Sequence, residues 1–248
     1  MVIKEQCYKM IINKIKNFKS DNFVLFASLP DIGKVGGISS SYLAENLKTD
    51  FVAEIISNEK PWVIYKNGVV KCAVDCYQIY YSKDANLLIF TGNTQPQDSG
   101  ELYQLCNLLL DYIQEIGHVK LLYSSGGYLK EQLTGAPKVC GVVNNPDLRS
   151  ILTKFQIELI GNEIDSITWF NGLILGLASE RKLDAIGLFG EISETSLPQP
   201  LAAKSIVKAF SKIEGITLNT KPLDKQYEAI VQGYQDQKNS KNSNPGIA

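Results

Sequence analysis

The sequence contains a single histidine, His118, in 248 residues. That scarcity removes whole classes of chemistry. A histidine-rich zinc centre needs at least one more imidazole. A serine or cysteine triad would have to use His118, which follows the helix-ending Gly117 and has no G-x-S-x-G companion. A cation placed there suits the C-terminal end of a helix. The five cysteines (Cys7, Cys72, Cys76, Cys106 and Cys140) are odd in number and scattered, with no C-x-x-C. Neither a zinc ribbon nor a redox pair is indicated, and reduced, packed thiols are expected.

Charge of one sign is also lacking. Lys and Arg total 25 against 26 Asp and Glu, a formal net charge of −1, so there is no electrostatic footprint for nucleic acid. No stretch approaches the roughly 20 apolar residues of a membrane span. The N-terminus has no short apolar core followed by small residues, so export is not expected and the compartment reads as cytoplasmic. No motif implies a metal or cofactor, and the expectation is none.

What is present is an ordinary soluble composition, 44% hydrophobic and 21% charged. Its most informative stretch is Leu29-Pro30-Asp31-Ile32-Gly33-Lys34-Val35-Gly36-Gly37. A buried strand, Phe23–Ala27, enters it and a helix over Gly36–Leu47 leaves it, with Ile38, Tyr42, Leu43 and Leu47 inward. A glycine-rich strand-to-helix turn gathers backbone N–H groups at one spot, which suits an anion, a partner's backbone or a sharp structural corner. The stretch fits neither G-x-x-x-x-G-K-[ST] nor G-x-G-x-x-G. Lys34 offers a charge to a ligand or to solvent.

Apolar runs and helical patterns alternate along the chain, which predicts an α/β sheet protein in one domain over 1–234. The opening segment, Cys7–Phe18, fits a helix or a strand equally. Strands are expected at Phe51–Ile56, Asn86–Thr91, Val119–Ser124, Val139–Val143 and Ala185–Gly190. A β-rich insert near 62–81 holds Trp62–Tyr65 and Val69–Val74 about Asn67-Gly68, a strong hairpin signal, and Tyr77–Tyr81 continues it. Helices are expected at Ser99–Ile116, Asn145–Phe155, Trp169–Arg181 and Pro200–Ile213. A last helix over about 222–236 carries Tyr227, Ile230, Val231 and Tyr234 as an apolar stripe, a possible interface. The polar remainder, 237–248, has too little apolar surface to offset the cost of ordering and is expected to be mobile.

Several polar clusters fall at predicted strand ends. Asn93 and Gln95 follow one strand, Gly126 and Gly127 a second, Asn144 a third, and Glu191 with Glu194 a fourth. Ligands of open α/β sheets bind beyond the carboxyl ends of strands. Glycine and asparagine also collect there because turns need positive φ. Glu191 and Glu194 are the one pair resembling acid–base chemistry, and without a base or metal motif beside them no catalytic residue is assigned.

Leu29-Pro30-x-Ile32-Gly33-x-Val35-Gly36, followed by Ser41-Tyr42-Leu43, resembles the opening motif of the proteasome assembly chaperone family, especially its archaeal-type members. Further pieces recur in order. They are Pro61 with Asn67-Gly68-Val69-Val70, Thr91-Gly92-Asn93-x-Gln95, Gly126-Gly127-Tyr128, Gly141-Val142-x-Asn144-Asn145, Gly172–Gly176, and Glu194-Thr195 through Pro200 to Ala202-Ala203. The likeness spans roughly residues 8 to 213. It implies a three-layer α/β/α sandwich with a central mixed sheet, similar to nucleoside phosphorylases and hydrolases, and a strand near Tyr8–Asn13. It also implies a non-enzymatic role in which the chain self-associates and binds proteasome α subunits. Some members end in a hydrophobic-Tyr-x tripeptide; this sequence ends Gly246-Ile247-Ala248, which argues against docking through such a tail. The competing reading is a small-molecule binder, or a hydrolase- or phosphorylase-like enzyme, using a cleft around Gly33, Asn93 and Glu191. Fold likeness alone does not transfer chemistry.

Overall fold

The computed structural model describes residues 10–57, 60, 63–162 and 164–242. The expected start of the first strand at Tyr8, the Pro61-Trp62 entry to the hairpin and the Gly246–Ala248 terminus lie outside these residues.

Period-2 alternation inside the buried strands dictates the layering. In β2 (Phe23–Ala27), Phe23, Leu25 and Ala27 face one apolar cluster and Val24 and Phe26 the other. β7 (Leu87–Gly92) divides the same way, with Leu88 and Phe90 on one side and Leu87 and Ile89 on the other. Strands buried on both faces need helices on both faces. α2 (Ser99–Ile116) and α4 (Trp169–Glu180) cover the first, while α1 (Val35–Asn46) and α5 (Pro200–Glu214) cover the second. The result is a three-layer α/β/α sandwich around one nine-stranded mixed sheet.

The remaining strands of that sheet are β1 (Met10–Lys14), β3 (Asp50–Ser57), β6 (Asp75–Ser82), β8 (Val119–Leu129), β9 (Val139–Val143), β10 (Glu158–Leu159) and β11 (Ala185–Ile192). Their order is β1-β3-β6-β7-β2-β8-β11-β9-β10. The opening segment, ambiguous in sequence, is therefore a strand: it lies antiparallel on β3, with Ile12 opposite Ile55. The helix expected at Asn145–Phe155 divides into a short 3₁₀ turn, Pro146–Leu148, and α3 (Arg149–Lys154).

The hairpin is narrower than the sequence suggests. β4 (Val63–Lys66) and β5 (Val69–Cys72) form a separate two-stranded sheet, turning through Asn67 at φ 51° and Gly68 at φ 80°. β6 instead returns to the main sheet between β3 and β7, because its buried Tyr77 and Ile79 belong to the core. At its base Lys60 sits between the carboxylates of Asp75, at 2.5 Å, and Glu101, at 3.6 Å, all nearly buried. The last helix, α6, spans Lys221–Asn242 rather than stopping near 236; no proline or glycine interrupts 237–242.

Candidate functional site

β7, β2, β8 and β11 run parallel and end on the same side. Beyond their carboxyl ends lies a cleft of about 740 Å³, walled by the loop after β2, the loop after β7, the end of β8 and the entry to α4.

The loop after β2 forms its floor. A 3₁₀ turn, Ile32–Lys34, carries Gly33 at φ +62° and Lys34 at φ 55° before α1 begins at Val35. The Gly33 N–H donates to the Thr195 carbonyl at 3.3 Å, and the Gln199 N–H donates to the Gly33 carbonyl at 2.8 Å. A Cβ at Gly36 would lie 2.5 Å from the Ser125 carbonyl oxygen and 2.7 Å from that of Leu29. The glycines therefore serve a tight corner that sets α1 directly on β8.

Asp31 bolts that corner in place. Its Oδ1 accepts from the Gly36 N–H at 2.8 Å and its Oδ2 from the Gly127 N–H at 2.5 Å. Burial pushes its carboxyl up to about 6, outweighing the backbone donors from Gly36 and Gly127 that pull it down. Pro30 is held from the other side, where Gln95 Nε2 donates to its carbonyl at 2.9 Å while Gln95 Oε1 accepts from the Phe170 N–H at 3.3 Å.

Sequence reasoning missed Asn171. This buried side chain grips Leu29 twice: Oδ1 accepts its N–H at 3.1 Å and Nδ2 donates to its carbonyl at 3.2 Å. Its signal was a lone amide among the apolar residues opening α4, since a buried amide must be satisfied. Trp169, beside it, lines the cleft 47% exposed, with φ 60°.

Gly126 and Gly127 are corrected from a turn to the interior of β8. They are glycine because the loop crowds them. A Cβ at Gly126 would lie 2.6 Å from Asp31 Oδ2, and one at Gly127 would lie 2.7 Å from the Ile32 carbonyl. Glu191 likewise sits inside β11 rather than after it. Burial would raise its carboxyl, yet the Lys130 ammonium at 2.9 Å and the Lys138 N–H at 3.1 Å hold it below the usual range. Glu194 is exposed and closes its own loop by accepting the Ser196 N–H at 2.6 Å, which lowers it too. The two glutamates thus have separate structural partners.

Asn144 belongs to the opposite end of the sheet, because β9 runs antiparallel to β11. There it donates to the Leu183 carbonyl and accepts the Ala185 N–H, each at 2.8 Å. Asn93 is exposed on the cleft rim, between the main cleft and a shallower hollow over α1 that contains the exposed Lys34. On α6, Leu223 is buried, Ile230 and Val231 are half-buried, and Tyr227 and Tyr234 are 38% and 54% exposed. Among the described residues, no group of three His, Cys, Asp or Glu is placed to hold a metal, and no helix is long and apolar enough to cross a membrane.

The site therefore brings together Pro30, Asp31, Gly33, Gly36, Gln95, Gly126 and Gly127, with Asn93 at the rim, and leaves Asn144, Glu191 and Glu194 outside. Among the described residues of the site no nucleophile is paired with a base, and backbone and amide contacts brace its walls. The profile of the PAC2 family matches residues 25–238. The chain belongs to the PAC2 family. A relative from Methanocaldococcus jannaschii, the uncharacterized protein MJ1210, is 27% identical over 228 residues, covering 90% of this chain and 86% of its own length. The crystal structure of Pyrococcus furiosus PbaB, an archaeal proteasome activator, is also 27% identical. It superposes with a TM-score of 0.80 over 93% of this chain and 99% of that one. Pyrococcus furiosus PbaA, an archaeal homolog of proteasome-assembly chaperone, shares the fold at 20% identity, with a TM-score of 0.76 over 93% of each chain.

Proposed function

We propose that this protein is a non-enzymatic, chaperone-like homo-oligomer that binds proteasome subunits through protein–protein contacts in the cytoplasm. The observation that carries this reading is the likeness to PbaB, which extends over nearly the full length of both chains rather than over a shared core.

The exposed hairpin supports it physically. Register places Val63, Tyr65, Val70 and Cys72 on one face and Ile64, Lys66, Val69 and Lys71 on the other. The first face carries no charge, yet Tyr65 is 71% exposed. A lone two-stranded hairpin is marginal in water, and an uncharged apolar face matches a second copy of itself. The outer stripe of α6, with Tyr227 and Tyr234, supplies another surface for a partner.

The test is to tag the protein in its native cell and identify what co-purifies, alongside light scattering of the purified chain. Proteasome α subunits in the eluate and a mass above one protomer are expected. A monomer that retains no proteasome subunit overturns the proposal. Deleting 222–248 separates the surfaces, because unchanged mass and binding remove α6 from the interface.

A further inference from the structure

The cleft is built with one sign of charge. Among the described residues lining it, Asp31 is the one charged side chain, and no lysine, arginine or histidine is present. Asp31 Oδ1 accepts the Gly36 N–H and Oδ2 the Gly127 N–H, with the Asp31 and Val35 N–H groups also favouring its charge, so the cleft holds a braced carboxylate. A phosphate or carboxylate ligand would meet this anion, and Lys130, which lies over the ring of the lining residue Tyr128, is already paired with Glu191. That argues against nucleotides and phosphorolysis at this site.

Aromatic and apolar side chains share the cleft with this carboxylate. Asp31 Oδ2 and the Phe189 ring approach each other over Gly126, where a Cβ would lie 2.6 Å from Asp31 Oδ2 and 3.1 Å from Phe189 Cε1. Farther out, the wall is Ile164, Ile167 and Trp169. Trp169 is a bulky residue held at φ 60°, a backbone conformation that costs roughly 1–3 kcal/mol and persists only where its surroundings impose it. Two contacts impose it here. Gln95 takes the next N–H, and Gly172 lets the Ile167 carbonyl pack so closely on α4 that any Cβ would run into it. The indole is left about half exposed in the cleft.

We infer that the cleft binds a small organic cation, one in which an aromatic or branched apolar body carries an ammonium or amidinium group. The body lies against Trp169, Ile164 and Ile167, and the charged end reaches Asp31 beside the Phe189 ring. The volume of about 740 Å³ falls within the range of ligand pockets. This site is separate from the hairpin and from α6, so it is occupied or empty regardless of whether the chain binds proteasome subunits.

The test is calorimetric titration of the full chain at neutral pH with benzamidine as probe and benzamide, benzoate and inorganic phosphate as comparators. Saturable benzamidine binding at about 1 mM or tighter is expected, with no saturation by the neutral and anionic compounds. Trp169→Ala should weaken binding about tenfold while leaving the circular dichroism spectrum unchanged. Asp31→Asn should abolish it; if that variant fails to fold, the benzamidine–benzamide pair on the native chain reads the charge requirement instead. No saturation by benzamidine, equal binding of benzamide or benzoate, or undiminished binding by folded Trp169→Ala would each overturn the inference.

Discussion

The Asp31 carboxyl makes a prediction whose sign runs against most surface carboxylates. Its ordinary value of 3.8 rises to about 6 in the folded chain, because burial disfavours the charge more than the Gly36 and Gly127 N–H donors favour it. The folded state therefore binds this proton more tightly than the unfolded state does. The stabilisation from this difference is fully present below the unfolded value and is lost as pH rises through about 6. A shift of roughly two pH units corresponds to about 3 kcal/mol, and solvent reaching the half-buried residue from the cleft trims this to about 2 kcal/mol. Asp31→Asn removes the titration, though its amide cannot accept from both N–H groups and so lowers stability by a nearly constant amount. The assay is urea unfolding of both proteins at intervals from about pH 4 to pH 7.5, plotting the difference in unfolding free energy. Native minus variant should fall by about 2 kcal/mol, most steeply between pH 4 and pH 6. A flat difference would refute the claim that desolvation dominates at this carboxylate, and a rising one would show that the backbone donors win.

Three further predictions concern buried contacts, two at the cleft and one at the base of the hairpin. Gly36→Ala should cost about 1–3 kcal/mol, because the added methyl meets the Ser125 and Leu29 backbone oxygens, which cannot turn away as side chains do; thermal unfolding reads this directly. Asn171→Leu should cost about 2–4 kcal/mol by leaving both backbone groups of Leu29 unsatisfied in the core, measured by chemical denaturation, and a loss under 1 kcal/mol would show the clamp to be dispensable. Lys60→Met should cost about 3–5 kcal/mol by leaving Asp75 and Glu101 nearly buried without this cation, measured by chemical denaturation, and a loss under about 1 kcal/mol would show the ion cluster to be dispensable.

The layered fold was legible because its strands are apolar on both faces and its helices carry clear stops. Gly117 ends α2 where the sequence places it, and Asn67-Gly68 turns the hairpin as its chemistry requires. What misled was glycine. Gly126 and Gly127 read as a turn, since glycine most often marks positive φ, but here it marks close approach: the neighbours that forbid a Cβ are Asp31 at Gly126 and Ile32 at Gly127, nearly a hundred positions away and invisible to any local pattern. Asn144 misled for a topological reason. It follows a strand as Asn93 does, but β9 runs antiparallel to its neighbour β11, and strand direction is a property of the sheet rather than of the segment. Asn171 was overlooked because hydrophobic periodicity assigns it to a helix without asking what a buried amide must bond.

These corrections bear on how the two candidate surfaces divide the work. At the cleft, the glycines and amides are already committed: Gly33 and Gly36 to seating α1, Gln95 to Pro30, and Asn171 to Leu29. A wall so fully bonded to itself resists deformation, which suits a small, shape-defined ligand and suits a large adaptable partner poorly. The hairpin is the reverse case. Its eight strand residues are all exposed, they form a sheet of their own, and beside the buried Ala73 the Lys60 ion cluster is a tie between its base and the core. Cutting that tie with Lys60→Met should therefore loosen the hairpin more than the cleft. If the hairpin is the self-association surface, the folded variant should lose mass in light scattering at a temperature where benzamidine binding is still intact. Simultaneous loss of both would mean that the two surfaces are one cooperative unit, and that the division argued here is wrong.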